Sequence, residues 1–193
     1  MNVKHNRNDI LVKGISLIRE RGYANTGVQD ILKECNIPKG SFYNFFSSKE
    51  AFALEAMALY SKFIIQFLDE VDSNDDLSPE NKVKTFFLKS NSLYKSDQCD
   101  KSCLFLALAT EVSSDKNVFS EPISNYFNEF KEYLINWIAQ AQEEKTIKSN
   151  FSPSELANIL YDGYHGAILR MKYQLNINAL DEFINSNLKI LYL

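Results

Sequence analysis

The sequence predicts an all-α protein with nine helices and no strands. Glycine and proline, the residues that most often interrupt helices, number only 6 and 4 among 193 residues. Apolar residues recur at three- and four-residue spacing along most of the chain, whereas the strict alternation typical of a strand is rare. The length suits one large domain, or a small domain followed by a medium one.

Three short helices are predicted at the N-terminus. An amphipathic helix spans residues 7–21, and Gly22 follows where a left-handed C-cap is favoured. Thr26 then opens a second helix through a T-x-x-Q capping box. Asn36, which tolerates a positive φ, ends that helix, and Pro38 suits the first position of the third.

Six further helices are predicted after these three. An S-x-x-E capping box at residues 47–50 opens the fourth helix, which continues to about residue 70. A polar stretch at 72–80 separates it from the fifth. The remaining helices are expected at about 79–94, 103–113, 122–146, 153–175 and 179–192.

The distribution of charge and cysteine indicates the broad class of protein. The net charge is −4, but residues 1–50 carry +3 and the remainder −7. A basic N-terminal segment is compatible with nucleic acid and equally with a solvated surface. We expect no signal peptide and no membrane span, because no apolar leader and no 18-residue apolar run occurs, and we therefore expect a cytoplasmic protein with free thiols.

The second and third helices form a helix-turn-helix arrangement around Asn36. In such an arrangement, the N-terminal end of the later helix enters the DNA major groove. Gly40 allows the backbone to approach DNA because it lacks a Cβ, and Lys39 supplies a flexible charge. Ser41 is a small donor and acceptor, and the Tyr43 hydroxyl suits a phosphate oxygen.

The ends of the neighbouring helices complete this candidate DNA-binding surface. Lys49 adds a full charge to a helix N-terminus that already favours an anion, and Thr26 occupies the matching position of the second helix. Phe42 and Phe46, four residues apart, are expected in the core. The alternative is a helical bundle in which the helix-turn-helix pattern arises by chance.

The stretch "GYANTGVQDILKECNIPKGSFYNFFSSKEAF" resembles the DNA-binding domain of the TetR family of bacterial repressors, over about residues 7–60. The resemblance implies a DNA-binding domain at 1–48, a ligand-binding and dimerisation domain at 49–193, and a dimer on palindromic DNA. Small departures from the family pattern, among them Gly27, Pro38 and Asn44, bear on the operator sequence. The nine candidate DNA-binding residues are Thr26, Gly27, Pro38, Lys39, Gly40, Ser41, Tyr43, Asn44 and Lys49.

A second motif, "CLFLALATEVSS" followed by "FSEPI", begins at Cys103. A cysteine in the first turn of a helix has its thiol pKa lowered by the helix dipole, although a cysteine in an apolar helix is also commonly a packed hydrophobe. The motif resembles the regulatory domain of the NemR-like subgroup of the TetR family, which senses electrophiles and chlorine oxidants. This resemblance implies that Cys103 is the sensing thiol and that Lys172 is the amine close to it.

A non-covalent ligand is the alternative to a sensing thiol. The pocket is expected among the fifth to eighth helices, where each candidate lining residue could equally be plain core. Cys99 could form a disulfide with an oxidised Cys103 or be an incidental exposed residue, and Cys35 is expected in the core. Zinc is excluded because C-x3-C has only two histidines to complete it. The candidate lining residues are Phe105, Trp137, Tyr161, Tyr164 and His165.

The sequence therefore favours a dimeric, inducer-responsive repressor without cofactor or metal. Two other classes stay open. The first is a thiol-dependent hydrolase using Cys103 and His165, which lacks a visible oxyanion loop, and the second is a helical adaptor that does not bind DNA. The last two helices are expected to form the dimer interface. Its apolar face is predicted to include Leu156, Ile159, Leu160, Ile168, Leu180, Phe183, Ile184 and Leu188.

Overall fold

The structure, a computed structural model, describes residues 6–38, 40–111 and 118–193. Within these ranges the protein is all-α, as predicted, with eight α-helices, two 3₁₀ helices and no strand. The predicted count of nine differs slightly because the third helix is a short 3₁₀ helix and the last is divided. The α-helices are α1 Arg7–Arg21, α2 Val28–Glu34, α3 Lys49–Asp72, α4 Pro79–Ser96, α5 Leu104–Ala109, α6 Ser120–Glu143, α7 Pro153–Gln174 and α8 Asn178–Ser186, and the 3₁₀ helices are Ser41–Asn44 and Asn187–Tyr192.

Several helix ends form as predicted from local sequence. Gly22 ends α1 with φ +87°, and its N–H donates to the Ile18 carbonyl at 2.8 Å. Ser152 and Glu155 form the reciprocal capping box of α7. These contacts satisfy backbone groups that the helix itself leaves without partners.

Two predicted capping boxes are wrong by one residue. The N-cap of α2 is Gly27 rather than Thr26, and the Asp30 carboxylate accepts from the Gly27 N–H at 2.8 Å. At α3, the hydroxyl of Ser48 rather than Ser47 accepts from the Ala51 N–H, at 3.0 Å. In both cases two adjacent residues were suitable caps, and the helix begins one residue later than the sequence pattern predicted.

The chain divides into two compact units, each formed by two stretches of sequence. The first unit comprises residues 1–63 and 101–124. It has a core in which Phe52 packs so closely on Gly14 that a Cβ there would lie 2.2 Å from the ring. The Phe46 and Phe52 rings meet edge to face at 4.9 Å. This unit contains more residues than the DNA-binding domain predicted at 1–48. The assignment of residues 1–48 to DNA binding stays a prediction.

The second unit comprises residues 64–100 and 125–193. Its core is rich in aromatic rings, with Phe87 lying 4.8 Å from Tyr164 and 4.9 Å from Phe183. Helices α7 and α8 pack against each other in this unit. Most residues predicted for the dimer interface are therefore protomer core instead. The buried ones are Leu156, Leu160, Ile168, Leu180, Phe183 and Leu188.

Helix α3 passes a length and composition test for a membrane span, with mean hydropathy 1.4 over its most apolar window. A third of that window is buried inside the protein. A core helix passes the same test, so a single helix of this kind is weak evidence for a membrane span.

Candidate functional site

The turn between α2 and the first 3₁₀ helix has the tight geometry predicted for a helix-turn-helix. Asn36 adopts a left-handed backbone with φ +54°, and its N–H donates to the Lys33 carbonyl at 3.1 Å. The Ile37 N–H donates to the Leu32 carbonyl at 2.9 Å. The turn therefore satisfies the last carbonyls of α2 and redirects the chain without a long loop.

Gly40 lies at the N-terminal end of the 3₁₀ helix, where a left-handed residue is required. Its φ is +101°, a conformation that side chains with a Cβ rarely adopt. A Cβ added to this residue would meet no described atom within 4 Å. Backbone conformation rather than packing therefore requires the glycine, and the space above it is open to a ligand.

The 3₁₀ helix separates its residues into a buried and an exposed face. Phe42 and Phe46 are buried, as predicted, and their ring centroids lie 5.2 Å apart. Tyr43 is 65% exposed, and Asn44 is also exposed. The two phenylalanines fix the helix to the first unit, so that the tyrosine hydroxyl and the amide point to solvent.

Other candidates on this surface differ in accessibility. Pro38 and Gly40 are exposed, and Ser41 and Gly27 are half-buried. Lys39, predicted to contact DNA, lies outside the described residues. The accessible backbone and polar groups thus cluster at the N-terminal end of the 3₁₀ helix.

Thr26 is buried, which the sequence did not predict. It is fully excluded from solvent, and its hydroxyl donates to the Gly22 carbonyl at 2.6 Å. The side chain therefore fastens the start of α2 to the end of α1. Its predicted contact with DNA stays a prediction, and in this conformation the hydroxyl is already engaged.

Lys49 lies in the first turn of α3, as predicted, but its ammonium group is held by the protein. Nζ donates to the Tyr23 carbonyl at 2.6 Å and lies 4.2 Å from the centroid of the Tyr23 ring. Partial burial lowers the pKa of Lys49, whereas the Glu111 and Asp30 carboxylates raise it. An ammonium group has three donors, so two remain for a phosphate oxygen.

Cys103 is the N-cap of α5 and is 3% exposed. Burial raises the pKa of its thiol, which is opposite to the predicted direction. The N–H groups at the start of α5, the Arg19 guanidinium and the Tyr60 hydroxyl favour the thiolate, but they do not outweigh burial. The neighbouring Phe105 is also buried, with its ring 6.0 Å from that of Tyr60.

The other pocket candidates lie in the second unit. Trp137 is buried and its indole N–H donates to the Asp72 carboxylate at 2.6 Å. Tyr161 packs on His165 at 4.2 Å between ring centroids. Burial lowers the pKa of His165. Lys172 is half-buried on α7, and its predicted proximity to Cys103 stays a prediction.

A polar pair lies among the aromatic rings of the second unit. The Tyr164 hydroxyl donates to the Asn91 side-chain oxygen at 3.1 Å. The Asn91 amide nitrogen is buried and has no hydrogen-bond partner among the described atoms. A buried donor without a partner is unfavourable unless a ligand or water completes it.

All three cysteines are free thiols and all are buried. Cys35 lies in the core, as predicted. Cys99 is only 6% exposed, so the predicted exposed position is wrong. Its backbone is left-handed, with φ +61°, in a turn that folds it inward. Among the described residues, no group of three His, Cys, Asp or Glu side chains could hold a metal ion.

Three residues near these sites make contacts that were not predicted from the sequence. Arg19 donates from Nε to the Ser102 carbonyl at 2.7 Å. Glu111 accepts from the Ala24 N–H at 2.6 Å. Tyr60 lies at the Cys103 thiol. Each contact joins residues more than forty positions apart, so local spacing gave no signal for it.

Comparison with known proteins identifies the family. The model for bacterial regulatory proteins of the tetR family matches residues 10–56. The model for the tetracyclin repressor-like C-terminal domain matches residues 79–186, more than half of the chain.

Individual proteins resemble the chain along nearly its full length. The repressor DhaR from Mycobacterium sp. (strain GP1) is 29% identical over 178 residues, which cover 92% of this chain and 88% of DhaR. The repressor NemR from Escherichia coli (strain K12) is 25% identical over 186 residues and 92% of each chain. A cysteine mutant of the regulator CifR, solved with 26-bp operator DNA, shares the fold with TM-score 0.81 at 17% identity over 98% of each chain. The chain thus belongs to the TetR family of bacterial regulatory proteins and is a transcriptional regulator rather than an enzyme.

Proposed function

We propose that the protein is a dimeric, cytoplasmic repressor that binds a palindromic operator through two helix-turn-helix motifs and is released by an inducer. The observation that carries this proposal is the exposed end of the first 3₁₀ helix. There Gly40 opens the backbone to a ligand, and Tyr43 and Asn44 project to solvent above buried phenylalanines. DhaR and NemR are both named transcriptional repressors, which supports repression rather than activation as the role of this protein.

The DNA contacts follow from the chemistry of this surface. Tyr43 and Ser41 hydroxyls and the Lys49 ammonium suit phosphate oxygens, which fix the position of the protein on the duplex. The Asn44 amide can donate and accept at a base edge, as adenine recognition in the major groove requires. Pro38 and Gly27 border this surface, where small side chains permit close approach.

A stripe of exposed residues on α7 supports dimerisation through the last two helices. Ile159, Gly166, Leu169 and Tyr173 recur at spacings of seven, three and four residues and therefore lie on one face. The three side chains are 41%, 44% and 72% exposed, and no described atom lies within 4 Å of a Cβ placed on Gly166. We call these four residues the α7 stripe.

A groove that includes Gly166 lies beside the other residues of the α7 stripe. It has a volume of about 410 Å³ and lies between α7 and α8. Arg170 and Glu182 form an ion pair at 2.8 Å along its edge. An apolar stripe next to a groove suits a two-fold interface, in which each copy offers the same surface to the other.

The inducer proposed first is a reactive electrophile or oxidant that modifies Cys103. With N-ethylmaleimide, the thiolate sulfur forms a bond to one alkene carbon, the carbon–carbon double bond opens, and solvent supplies a proton to the other carbon. With hypochlorous acid, the thiolate is oxidised to a sulfenic acid and the chlorine is reduced and leaves as chloride. Because Cys103 is buried, either product requires α5 to shift.

A non-covalent inducer is the second candidate, and Asn91 favours it. The unpartnered Asn91 amide lies among aromatic rings, where an apolar molecule carrying a carbonyl or carboxylate oxygen would accept its hydrogen bond. Trp137, Tyr161, Tyr164 and His165 remain the proposed lining of such a pocket within the second unit, with Lys172 as a further polar group.

DNA binding can be tested with a duplex selected from random sequences by the wild-type protein. We expect Tyr43→Phe to weaken binding of this duplex about tenfold, because a hydrogen bond to a charged oxygen contributes about 1.5–3 kcal/mol. Lys49→Ala should make the fall of DNA affinity with rising salt concentration less steep, by the amount expected for the loss of about one phosphate contact. Tyr133→Phe, which removes a tyrosine hydroxyl on α6 in the second unit, is the control. Unchanged affinity of Tyr43→Phe would contradict the assignment.

The inducer can be tested with Cys103→Ser on the same duplex. We expect the variant to bind DNA normally and to stay bound when N-ethylmaleimide or hypochlorite releases the wild-type protein. Cys99→Ser, which replaces another buried thiol, should be released as the wild type is. Because burial raises the pKa of the Cys103 thiol, its alkylation should accelerate as the pH is raised from neutral. Normal release of Cys103→Ser by these reagents would contradict the assignment of Cys103 as the sensing thiol.

A further inference from the structure

Residues 102–111, here called the connecting segment, are fastened to the end of α1 at their start. The Arg19 side chain donates to the Ser102 carbonyl at 2.7 Å. In return, the Ser102 N–H donates to the Arg19 carbonyl at 2.9 Å. This reciprocal pair lies next to Cys103 and fixes the N-terminal end of α5.

The other end of the connecting segment is fastened to the loop that follows α1. One oxygen of the Glu111 carboxylate accepts from the Ala24 N–H at 2.6 Å. The other oxygen lies where a Cβ of Gly22 would be, only 1.9 Å away. Glycine at this position therefore serves two purposes, because it also adopts φ +87°. A hydrogen bond to an ionised acceptor is about twice as strong as one between neutral groups.

The same loop, residues 22–24, is held on its other side by candidate DNA-binding residues. Lys49 donates to the Tyr23 carbonyl and lies over the Tyr23 ring. Thr26 donates to the Gly22 carbonyl. The loop leads directly into Gly27, the N-cap of α2. Its position thus determines both the start of α2 and the place of the Lys49 ammonium.

We propose that Glu111 is a positioning residue for operator binding, which holds the loop at 22–24 so that Lys49 and the start of α2 are correctly placed for DNA. The inference rests on the proposed function. Helix α5, six residues and about 9 Å long, lies between Cys103 and Glu111. A displacement of α5 at Cys103 therefore carries the Glu111 carboxylate away from Ala24 and releases the loop.

Glu111→Ala tests this role against a merely structural one. We expect affinity for the selected duplex to fall about tenfold, within the roughly 5–150-fold range of such couplings. The melting temperature should stay within about 3 °C of wild type, because Glu111 is exposed. Glu111→Gln keeps an oxygen for the Ala24 N–H and should recover most of the affinity. Glu121→Ala, at an exposed glutamate in the first turn of α6, is the matched control.

Coupling to Lys49 gives a second readout. In a double-mutant cycle, Glu111→Ala and Lys49→Ala should combine less than additively, because both act on one loop. If Glu111→Ala binds the duplex as well as Glu121→Ala does, the inference is overturned. Should Glu111→Ala not fold, Glu111→Ser, whose hydroxyl is too short to reach the Ala24 N–H, must bind more weakly than Glu121→Ser, and equal affinities overturn the inference. A wild-type protein that selects no duplex would instead contradict the proposed function.

Discussion

At the scale of single residues, Gly40 combines a backbone requirement with a functional one. Its φ of +101° disfavours any side chain, yet the space where a Cβ would lie is open. Packing alone therefore does not explain the glycine. The open space lies at the surface that we propose binds DNA, so under that proposal a Cβ at this position would meet DNA rather than protein.

Substitutions at Gly40 should separate these two effects. Gly40→Ala should lower the free energy of unfolding by about 1–2 kcal/mol, the cost of a left-handed backbone for a residue with a Cβ. Gly40→Asn should cost less, because asparagine tolerates this conformation. Both variants should bind the selected duplex more weakly. Urea denaturation and fluorescence anisotropy measure the two quantities, and an alanine variant as stable as wild type would contradict the backbone argument.

Cys103 shows why a residue's chemistry could not be predicted from its position in a helix alone. The sequence places it at the start of α5, where a helix dipole stabilises a thiolate by about 0.3–1 kcal/mol, less than about one pKa unit. Full burial can raise a thiol pKa by about 3–5 units. Burial of Cys103 depends on how distant parts of the chain pack, as its contact with Tyr60 more than forty residues away illustrates, so the sequence predicted only the smaller effect.

At the scale of elements, periodicity predicted where helices lie better than it predicted what they face. Helix α7 has apolar residues on two sides, and the pattern could not distinguish protomer core from a surface between copies. Leu156 and Leu160 are buried within the second unit, whereas Ile159 between them is 41% exposed. The third predicted helix begins after the left-handed Gly40 rather than at Pro38, and it is a 3₁₀ helix of only four residues.

The α7 stripe should be required for self-association. We expect the double variant Leu169→Glu, Tyr173→Glu to sediment as a monomer where the wild type sediments as a dimer, because charges on an apolar interface lose solvation. The matched control is Leu88→Glu with Leu93→Glu, which changes two comparably exposed leucines of α4. A stripe variant that remains dimeric would show that another surface forms the dimer.

At the scale of the whole molecule, the regulation that we propose depends on the path between Cys103 and the helix-turn-helix. The first unit contains both the helix-turn-helix and Cys103, because residues 101–124 join residues 1–63. The sequence suggested a boundary near residue 48 and gave no sign that a later segment belongs with the N-terminal helices. Contacts of Ser102 and Glu111 with α1 and its following loop account for this grouping.

The central claim is that a dimer presents two recognition surfaces to successive major grooves of one operator. The most direct test compares wild-type binding to the selected duplex with binding to the same duplex carrying about 5 bp, half a helical turn, between its half-sites. We expect affinity to fall at least about a hundredfold, because the second half-site then faces away from the protein and its specific contacts are lost. Equal affinity for the two duplexes would contradict the account.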